Sequence, residues 1–208
     1  MPARNTDADA AGATRCQTVG MTLHITGDAE ADDLLTRDPL ALLIGMLLDQ
    51  QVPMETAFAG PKKILDRTGG LDAAAIADAD PEQFTAMFKV PPSVHRFPGS
   101  MAGRVQALCA EIRDRWGGNA AALWTEGDPD GREVLRRLEA LPGFGAQKAK
   151  IFLALLGKQC GFDGAGLREA STPYSEEGSY RSVADIVSPE SLAKVREHKR
   201  AMKAAAKG

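Results

Sequence analysis

The residue types that could do chemistry are concentrated in one short segment, 141–149 (LPGFGAQKA), of a 208-residue chain. A Pro-Gly-x-Gly turn here joins an amphipathic stretch, VLRRLEA, to an apolar one, KAKIFLALLG, and predicts a hairpin of two helices. Glycine lets the backbone of the turn come very close to a partner, and the unpaired N–H groups at the start of the second helix form an anion site. We therefore expect a phosphate-binding surface formed by Leu141, Pro142, Gly143, Phe144, Gly145, Gln147, Lys148 and Lys150. The alternative is an ordinary loop between two core helices, because Pro-Gly turns are common.

A second group of polar residues follows the most apolar stretch of the chain. Residues 39–48 (PLALLIGMLL) are apolar on every side, which predicts a central buried helix, and they lead into Asp49, Gln50 and Gln51. The end of this helix can therefore reach solvent or a ligand. Taken alone, Gln50 and Gln51 would be no more than a polar helix end.

In this order, the two segments resemble the helix-hairpin-helix DNA glycosylases of base excision repair, the endonuclease III and 3-methyladenine glycosylase superfamily. Residues 141–149 match the hairpin motif, and residues 47–52 (LLDQQV) are similar to the Leu-Ser-Gln-Gln-Val segment of that superfamily. The resemblance covers roughly residues 38–165. It implies a compact, two-lobed, all-α domain that binds duplex DNA through the hairpin. It also implies that Gln50 and Gln51 bind DNA, with Gln51 filling the gap that a flipped nucleotide leaves.

The resemblance also identifies the position of a nucleophile. Members that cut the strand carry a lysine just after the second glycine of the hairpin, where this chain has Gln147. An amide cannot form a Schiff base, so strand cleavage by a lyase reaction is not expected. Lys148 is one position later, which turns it by about 100° on a helix. We expect Lys148 to contact phosphate or solvent; the alternative is a displaced nucleophile.

Members that only release the base depend on one aspartate, about 18 to 20 residues after that position. Its carboxylate stabilises the cationic sugar that forms as the glycosidic bond breaks. The nearest candidate here is Asp163, 16 positions after Gln147, with Glu169 as its substitute. We expect one of them to be the catalytic carboxylate. The alternative for Asp163, which lies between two glycines, is an ordinary turn residue.

Two expectations about cofactors follow from the resemblance. Many relatives carry a four-cysteine iron–sulfur loop after the catalytic region, but Cys160 is the last cysteine of this chain, so no cluster and no other cofactor is expected. A hairpin of this kind sometimes holds a monovalent cation on its turn carbonyls, which would be those of Leu141 and Gly143. No other metal site is predicted, because Cys16, Cys109 and Cys160 have no paired spacing.

Helix signals recur along the chain. Asp38, Asp80, Asp128 and Ser188 each precede a proline, so each predicts a helix start with a capping side chain. Periodicity and Gly/Pro turns predict helices at about 28–36, 39–48, 54–67, 72–78, 81–88, 101–116, 120–125, 131–140, 147–157 and 189–205.

The remaining segments carry weaker signals. Residues 21–26 (MTLHIT) alternate like a strand without an obvious partner and are expected to pack as an extended arm. Residues 158–180, rich in Gly and Ser, are expected to form a long connection. His95 is expected to be a surface or core polar residue, and Arg104 to lie on a solvated face.

Composition fits an all-α fold. Apolar residues make up 44% and charged residues 25%, as in globular proteins, while only 5% are aromatic and β-branched runs are rare, which favours helix. The longest apolar stretch, 39–48, is about half of the roughly 20 residues that a membrane-spanning helix needs, so no membrane contact is expected. No secretory signal is apparent, so we expect a cytoplasmic, nucleoid-associated protein.

The predicted organisation has three parts. Residues 1–20 are expected to be a flexible leader, 21–180 the helical domain, and 181–208 a basic C-terminal helix packed on or extending from it. The net charge of −3 gives no global attraction to nucleic acid, so DNA binding must come from local basic surfaces or backbone amides.

The sequence therefore predicts a monomeric, monofunctional DNA N-glycosylase that removes a damaged base from double-stranded DNA without cutting the strand. One alternative is a catalytically silent helix-hairpin-helix protein that recognises distorted or damaged DNA. Another is a helical protein with no role in nucleic-acid binding, which the acidic net charge favours.

Overall fold

A computed structural model describes residues 22–205, so the predicted leader at 1–20 lies outside the described part. Between these limits there is no β-strand, and the all-α prediction is confirmed. The helices are α1 (Ala29–Arg37), α2 (Pro39–Leu48), α3 (Met54–Phe58), α4 (Gly60–Thr68), α5 (Ala73–Asp78), α6 (Pro81–Lys89), α7 (Pro98–Trp116), α8 (Ala122–Thr125), α9 (Gly131–Glu139), α10 (Ala146–Gln159), α11 (Leu167–Ser171) and α12 (Pro189–Ala205), with a 3-10 helix at Val183–Asp185.

Helix α2 is the buried centre of the fold, as predicted. The Asp38 carboxylate accepts hydrogen bonds from the N–H groups of Leu40 (2.9 Å) and Ala41 (3.1 Å), and Pro39 needs no N–H partner in the first turn. Burial raises the pKa of the Asp38 carboxyl. Every residue from Leu40 to Leu48 is buried, so the helix brings its polar end to a defined place in the molecule.

Three of the four predicted helix starts are found. Asp80 caps α6, and the Ser188 hydroxyl accepts a hydrogen bond from the N–H of Ser191 in the first turn of α12. The prediction at Asp128 was wrong. Asp130, on the other side of the proline, caps α9 by accepting from Glu133 N–H at 2.7 Å, while Asp128 has φ +48°. The helix therefore begins two residues later than the Asp-Pro signal indicated.

Two predicted segments were wrong in detail. The helix expected at 54–67 is divided at Ala59 into α3 and α4, because Pro61 has no N–H to continue the hydrogen-bond pattern and lies in the first turn of α4. Gly60 at this turn lies so close to α2 that a Cβ there would be 2.5 Å from Leu48 Cδ1. The connection expected at 158–180 contains α11, which follows Gly166 in the left-handed region.

The extended arm expected at 21–26 packs as the alternation indicated. From residue 22 onward it has no partner strand; Leu23 and Ile25 are buried in the core and His24 is exposed. In the same part of the chain, residues 22–205, no helix combines the length and apolar character needed to cross a membrane.

The helices pack in two groups that share one hydrophobic core. In the first, α2 contacts α1, α3, α4 and α7; in the second, α10 contacts α9, α11 and the 3-10 helix. Helix α12 packs on the 3-10 helix, and its Arg196 pairs with Glu55 of α3. The C-terminal segment therefore lies against both groups.

Candidate nucleic-acid interface

The turn between α9 and α10 presents its glycines outward and anchors its apolar residues inward. Leu141 and Phe144 are buried, and the Phe144 ring packs edge-on against Phe152 with 5.9 Å between centroids. Gly143 and Gly145 are exposed. Gly143 has φ +81°, which favours glycine, and a Cβ there would lie 2.4 Å from Leu47 Cδ1, so a larger residue would have to displace the Leu47 side chain.

The first turn of α10 has free backbone donors. Gly145 is the N-cap and supplies no side-chain cap, and Ala146 and Gln147 are exposed. The N–H groups of this 14-residue helix therefore point to solvent with the positive end of the helix dipole. Lys150, on the same helix, is half-buried. This arrangement can bind a phosphate group.

Lys148 faces α2 and is not a fully solvated cation. Its Nζ donates a hydrogen bond to the Leu47 carbonyl oxygen at 3.0 Å and lies 5.9 Å from the Phe144 ring centroid. Burial lowers the pKa of the Lys148 ammonium to about 8; Arg104 acts in the same direction, and the Asp49 carboxylate opposes it. A considerable fraction of this amine is therefore uncharged slightly above neutral pH.

Gln50 is fixed in place while Gln51 is free. The Gln50 side chain donates to the Leu47 carbonyl oxygen at 2.9 Å and accepts from Arg104 at 2.7 Å. Gln51 is exposed, has φ +57°, and its side chain has no hydrogen-bond partner among residues 22–205. A non-glycine residue in the left-handed region stores strain.

His95 and Arg104 support Gln50, and the sequence did not reveal either role. The His95 Nδ1 accepts the Phe97 N–H at 3.1 Å, so Nε2 carries the hydrogen and donates to the Gln50 carbonyl oxygen at 3.0 Å. Burial lowers the pKa of His95 and favours this neutral form. The two residues are 45 and 54 positions from Gln50, and no local spacing could have found them.

A cleft of about 590 Å³ opens beside these residues. Its walls come from the end of α2, the start of α10, the segment before the 3-10 helix, and α12; they are Met46, Asp49, Gln147, Lys148, Ile151, Pro173, Tyr174, Arg181, His198, Lys199 and Met202. The Gln147 amide donates to the Tyr174 hydroxyl at 3.0 Å. The Lys199 ammonium lies 3.6 Å from the Asp49 carboxylate across the cleft.

The two predicted catalytic acids lie elsewhere. Asp163 and Glu169 are exposed and line a separate cavity of about 630 Å³. The N–H of Phe162 donates to the Leu156 carbonyl oxygen at 3.1 Å, which holds Asp163 at the C-terminal end of α10. The end of α10 at Gln159 lies 12 residues, about 18 Å along the helix, from Gln147. The structure does not bring Asp163 or Glu169 together with Gln147 and Lys148.

One of the two carbonyl groups expected to hold a monovalent cation also accepts a hydrogen bond within the turn. The Leu141 carbonyl oxygen accepts the Phe144 N–H at 3.1 Å and keeps one lone pair, which a monovalent cation could use. Between residues 22 and 205, no three His, Cys, Asp or Glu side chains converge on a common metal position.

Comparison with known proteins agrees with this geometry. A family model described as the HhH-GPD superfamily base excision DNA repair protein matches residues 44–203, about three quarters of the chain. A search of curated proteins found no match. An all-α fold with this hairpin and this match defines a DNA-binding protein of the glycosylase class. The chain belongs to the HhH-GPD superfamily of base excision DNA repair proteins.

Proposed function

We propose that the protein is a monofunctional DNA N-glycosylase. As a monomer it binds damaged double-stranded DNA, flips one base into the 590 Å³ cleft and hydrolyses its N-glycosidic bond without cutting the strand. The observation that carries this proposal is that the hairpin and the Gln50 side chain both contact Leu47, at the end of α2. Leu47 contacts both Gly143 and Lys148. The hairpin turn, the Gln50–Gln51 segment and the cleft therefore form one unit.

Binding begins at the DNA backbone. The exposed amides of Gly143 and Gly145 and the first turn of α10 are suited to phosphate oxygens, and Lys150 adds a positive charge beside them. Such contacts position the protein without selecting a sequence. Because the net charge is −3, the attraction to DNA has to come from local surfaces such as this one.

Base flipping needs a side chain that fills the gap left in the duplex, here called the plug, and a pocket that receives the extruded base. Gln51 is free to enter the duplex, while Gln50, held by Arg104 and His95, supplies a rigid base for it. The cleft has the size of a small-molecule site and presents Tyr174 and Pro173, flat side chains against which a base can stack. The cleft therefore offers a place for the extruded nucleotide next to the plug.

Gln147 supports release without strand cleavage. Its amide cannot form a Schiff base, and it donates to the Tyr174 hydroxyl at the edge of the cleft. Hydrolysis consumes only water, so we propose that the protein needs no cofactor. We also propose that it acts in the cytoplasm, on nucleoid DNA.

A second candidate function is a lyase that uses Lys148. The observation in its favour is the pKa of this amine, lowered to about 8 by burial in the cleft wall. An uncharged amine can attack C1′ of the sugar and displace the base, and the Schiff base that then forms cuts the strand by elimination of the 3′ phosphate. A third candidate, the silent DNA-binding protein, is favoured by the position of Asp163 and Glu169 outside the cleft.

One experiment separates the three candidates. Purified protein is incubated with a panel of duplexes that contain alkylated, deaminated or oxidised bases, and strand breaks are scored before and after hot alkali. A monofunctional glycosylase gives breaks only after alkali. A Lys148 lyase gives breaks before alkali and is trapped on DNA by borohydride. Binding without base release from any duplex would support the silent protein.

A further inference from the structure

We propose that Asp49 is the catalytic carboxylate of this protein. This inference rests on the proposed glycosylase function and names the group that performs it. The resemblance pointed to an acid after the hairpin, whereas the cleft receives its acid from the residue that follows α2.

Asp49 is the only carboxylate among the described residues that line the cleft. Its backbone N–H donates to the Met46 carbonyl oxygen at 3.3 Å, which fixes the residue at the C-terminal end of α2. Its side chain is only 21% exposed, in contrast to Asp163 and Glu169, which are exposed beside another cavity. The fold therefore holds one partly buried acid in the cleft, two residues before Gln51.

The surroundings of Asp49 are positively charged. Lys199 lies 3.6 Å from its Oδ2, and Lys148 is near enough for the Asp49 charge to affect the pKa of the lysine. Lys199 and Lys148 line the cleft on different helices and can attract the phosphates on either side of a flipped nucleotide. A phosphate that binds Lys199 takes the place of its weak pairing with Asp49 and leaves the carboxylate facing the sugar.

The chemistry needs a negative charge at this place. When the bond between C1′ and the base breaks, its electron pair leaves with the base and the sugar becomes a cation, which a nearby carboxylate stabilises. Water then forms the new C1′–O bond, and its proton ends on the released base. Atoms and charge balance with water as the only co-reactant.

The test compares the rates of base release after substitution of three aspartates: one in the cleft, one after the hairpin and one on the surface of α4. Single-turnover base release is measured at saturating protein for the wild type, Asp49→Asn, Asp163→Asn and Asp66→Asn. Asp66 pairs with Lys62 on the surface of α4 at 2.6 Å, so Asp66→Asn is a matched control for the loss of an Asp–Lys pair. We expect Asp49→Asn to slow release by about 100-fold or more while DNA affinity is retained, and Asp66→Asn to react like the wild type.

Two further variants at Asp49 distinguish a catalytic role of the carboxylate from misfolding and from a purely structural role. Asp49→Ser introduces the residue that the resembling segment carries and is expected to show the same loss. Asp49→Glu keeps the charge and is expected to recover part of the rate.

The possible failures are distinguishable. Wild-type release combined with an undiminished rate in both Asp49→Asn and Asp49→Ser would overturn the inference and leave the glycosylase function intact. A loss confined to Asp163→Asn would overturn it in favour of the acid after the hairpin. If the wild type releases no base, the proposed function fails, and the inference fails with it.

Discussion

The Lys148 ammonium donates a hydrogen bond to the carbonyl oxygen of Leu47, with 3.0 Å between Nζ and O. The Gln50 side chain donates to the same oxygen at 2.9 Å. Carbonyl groups in the last turn of a helix have no partner within the helix, so this oxygen is available to both donors. The two hydrogen bonds join the hairpin to the segment that ends in Gln51.

The first prediction concerns the pH dependence of stability. The pKa of Lys148 is about 8 in the folded protein, against an ordinary value of 10.5. Between these values the unfolded chain binds a proton that the folded protein has lost, so stability rises with pH. The free energy of unfolding of the wild type should rise relative to that of Lys148→Met between pH 8 and 10.5, and stay parallel to it below pH 8.

Urea unfolding of both proteins at closely spaced pH values measures this difference. The Met variant carries every other titrating group of the wild type, so it serves as the baseline. A difference that does not change between pH 8 and 10.5 would show that the Lys148 pKa is not lowered.

The second prediction concerns the hairpin turn. Gly143→Ala places a methyl group 2.4 Å from Leu47 Cδ1 at φ +81°, so it should destabilise the fold through both strain and overlap. Gly118→Ala is a matched control, because Gly118 has φ +82° and open space around it. Gly143→Ala should cost about 1–3 kcal/mol more than Gly118→Ala in the free energy of unfolding. Equal costs for both variants would mean that Leu47 moves aside freely.

The third prediction distinguishes the role of the Gln51 side chain in base flipping from the backbone strain at this residue. Gln51 has φ +57°, so Gln51→Gly should leave stability unchanged or raise it by up to about 1 kcal/mol. Base release should nevertheless fall by about tenfold or more, because a lost plug weakens the flipped state by at least about 1.4 kcal/mol. Thermal unfolding and single-turnover release measure the two effects.

Asp128→Gly is the control for this prediction, since Asp128 has φ +48° and lies in the loop before α9. It should relieve strain in the same way and release base at the wild-type rate. A Gln51→Gly protein with full activity would remove Gln51 from the flipping step.

The fourth prediction concerns salt. Lys150→Gln should lower the slope of log affinity against log salt concentration by about 1, because one phosphate contact is lost. Lys89→Gln, at the exposed end of α6, should leave the slope unchanged. Binding titrations with an undamaged duplex at several salt concentrations measure this. An unaltered slope in Lys150→Gln would place the phosphate contacts on other residues.

Local signals were sufficient to predict much of the fold. The hairpin, the buried helix α2 and the caps at Asp38 and Asp80 each depend on residues within a few positions of one another. The division between α3 and α4 was missed because Pro61 can occupy either the interior or the first turn of a helical pattern.

Several contacts of the candidate site could not be predicted, because the residues that make them are distant in sequence. His95 and Arg104 reach Gln50 across 45 and 54 positions, and neither has a motif of its own. Counting residues after Gln147 pointed to Asp163, but the length of α10 carries that residue to the other end of the helix. Whether an acidic residue faces the cleft depends on the path of the folded chain as well as on the number of residues that separate it from the hairpin.

Arg196 and Glu55 pair although 141 positions separate them. Helix α12 also supplies Lys199 to the cleft, about 50 residues after Lys148. A ribosome adds about 5–20 residues per second, so roughly 3 to 10 s pass between the synthesis of the two lysines. The hairpin can form during this interval, while the wall of the cleft that α12 provides has not yet been made. A chain halted at that stage would have the hairpin turn and would lack one wall of the cleft.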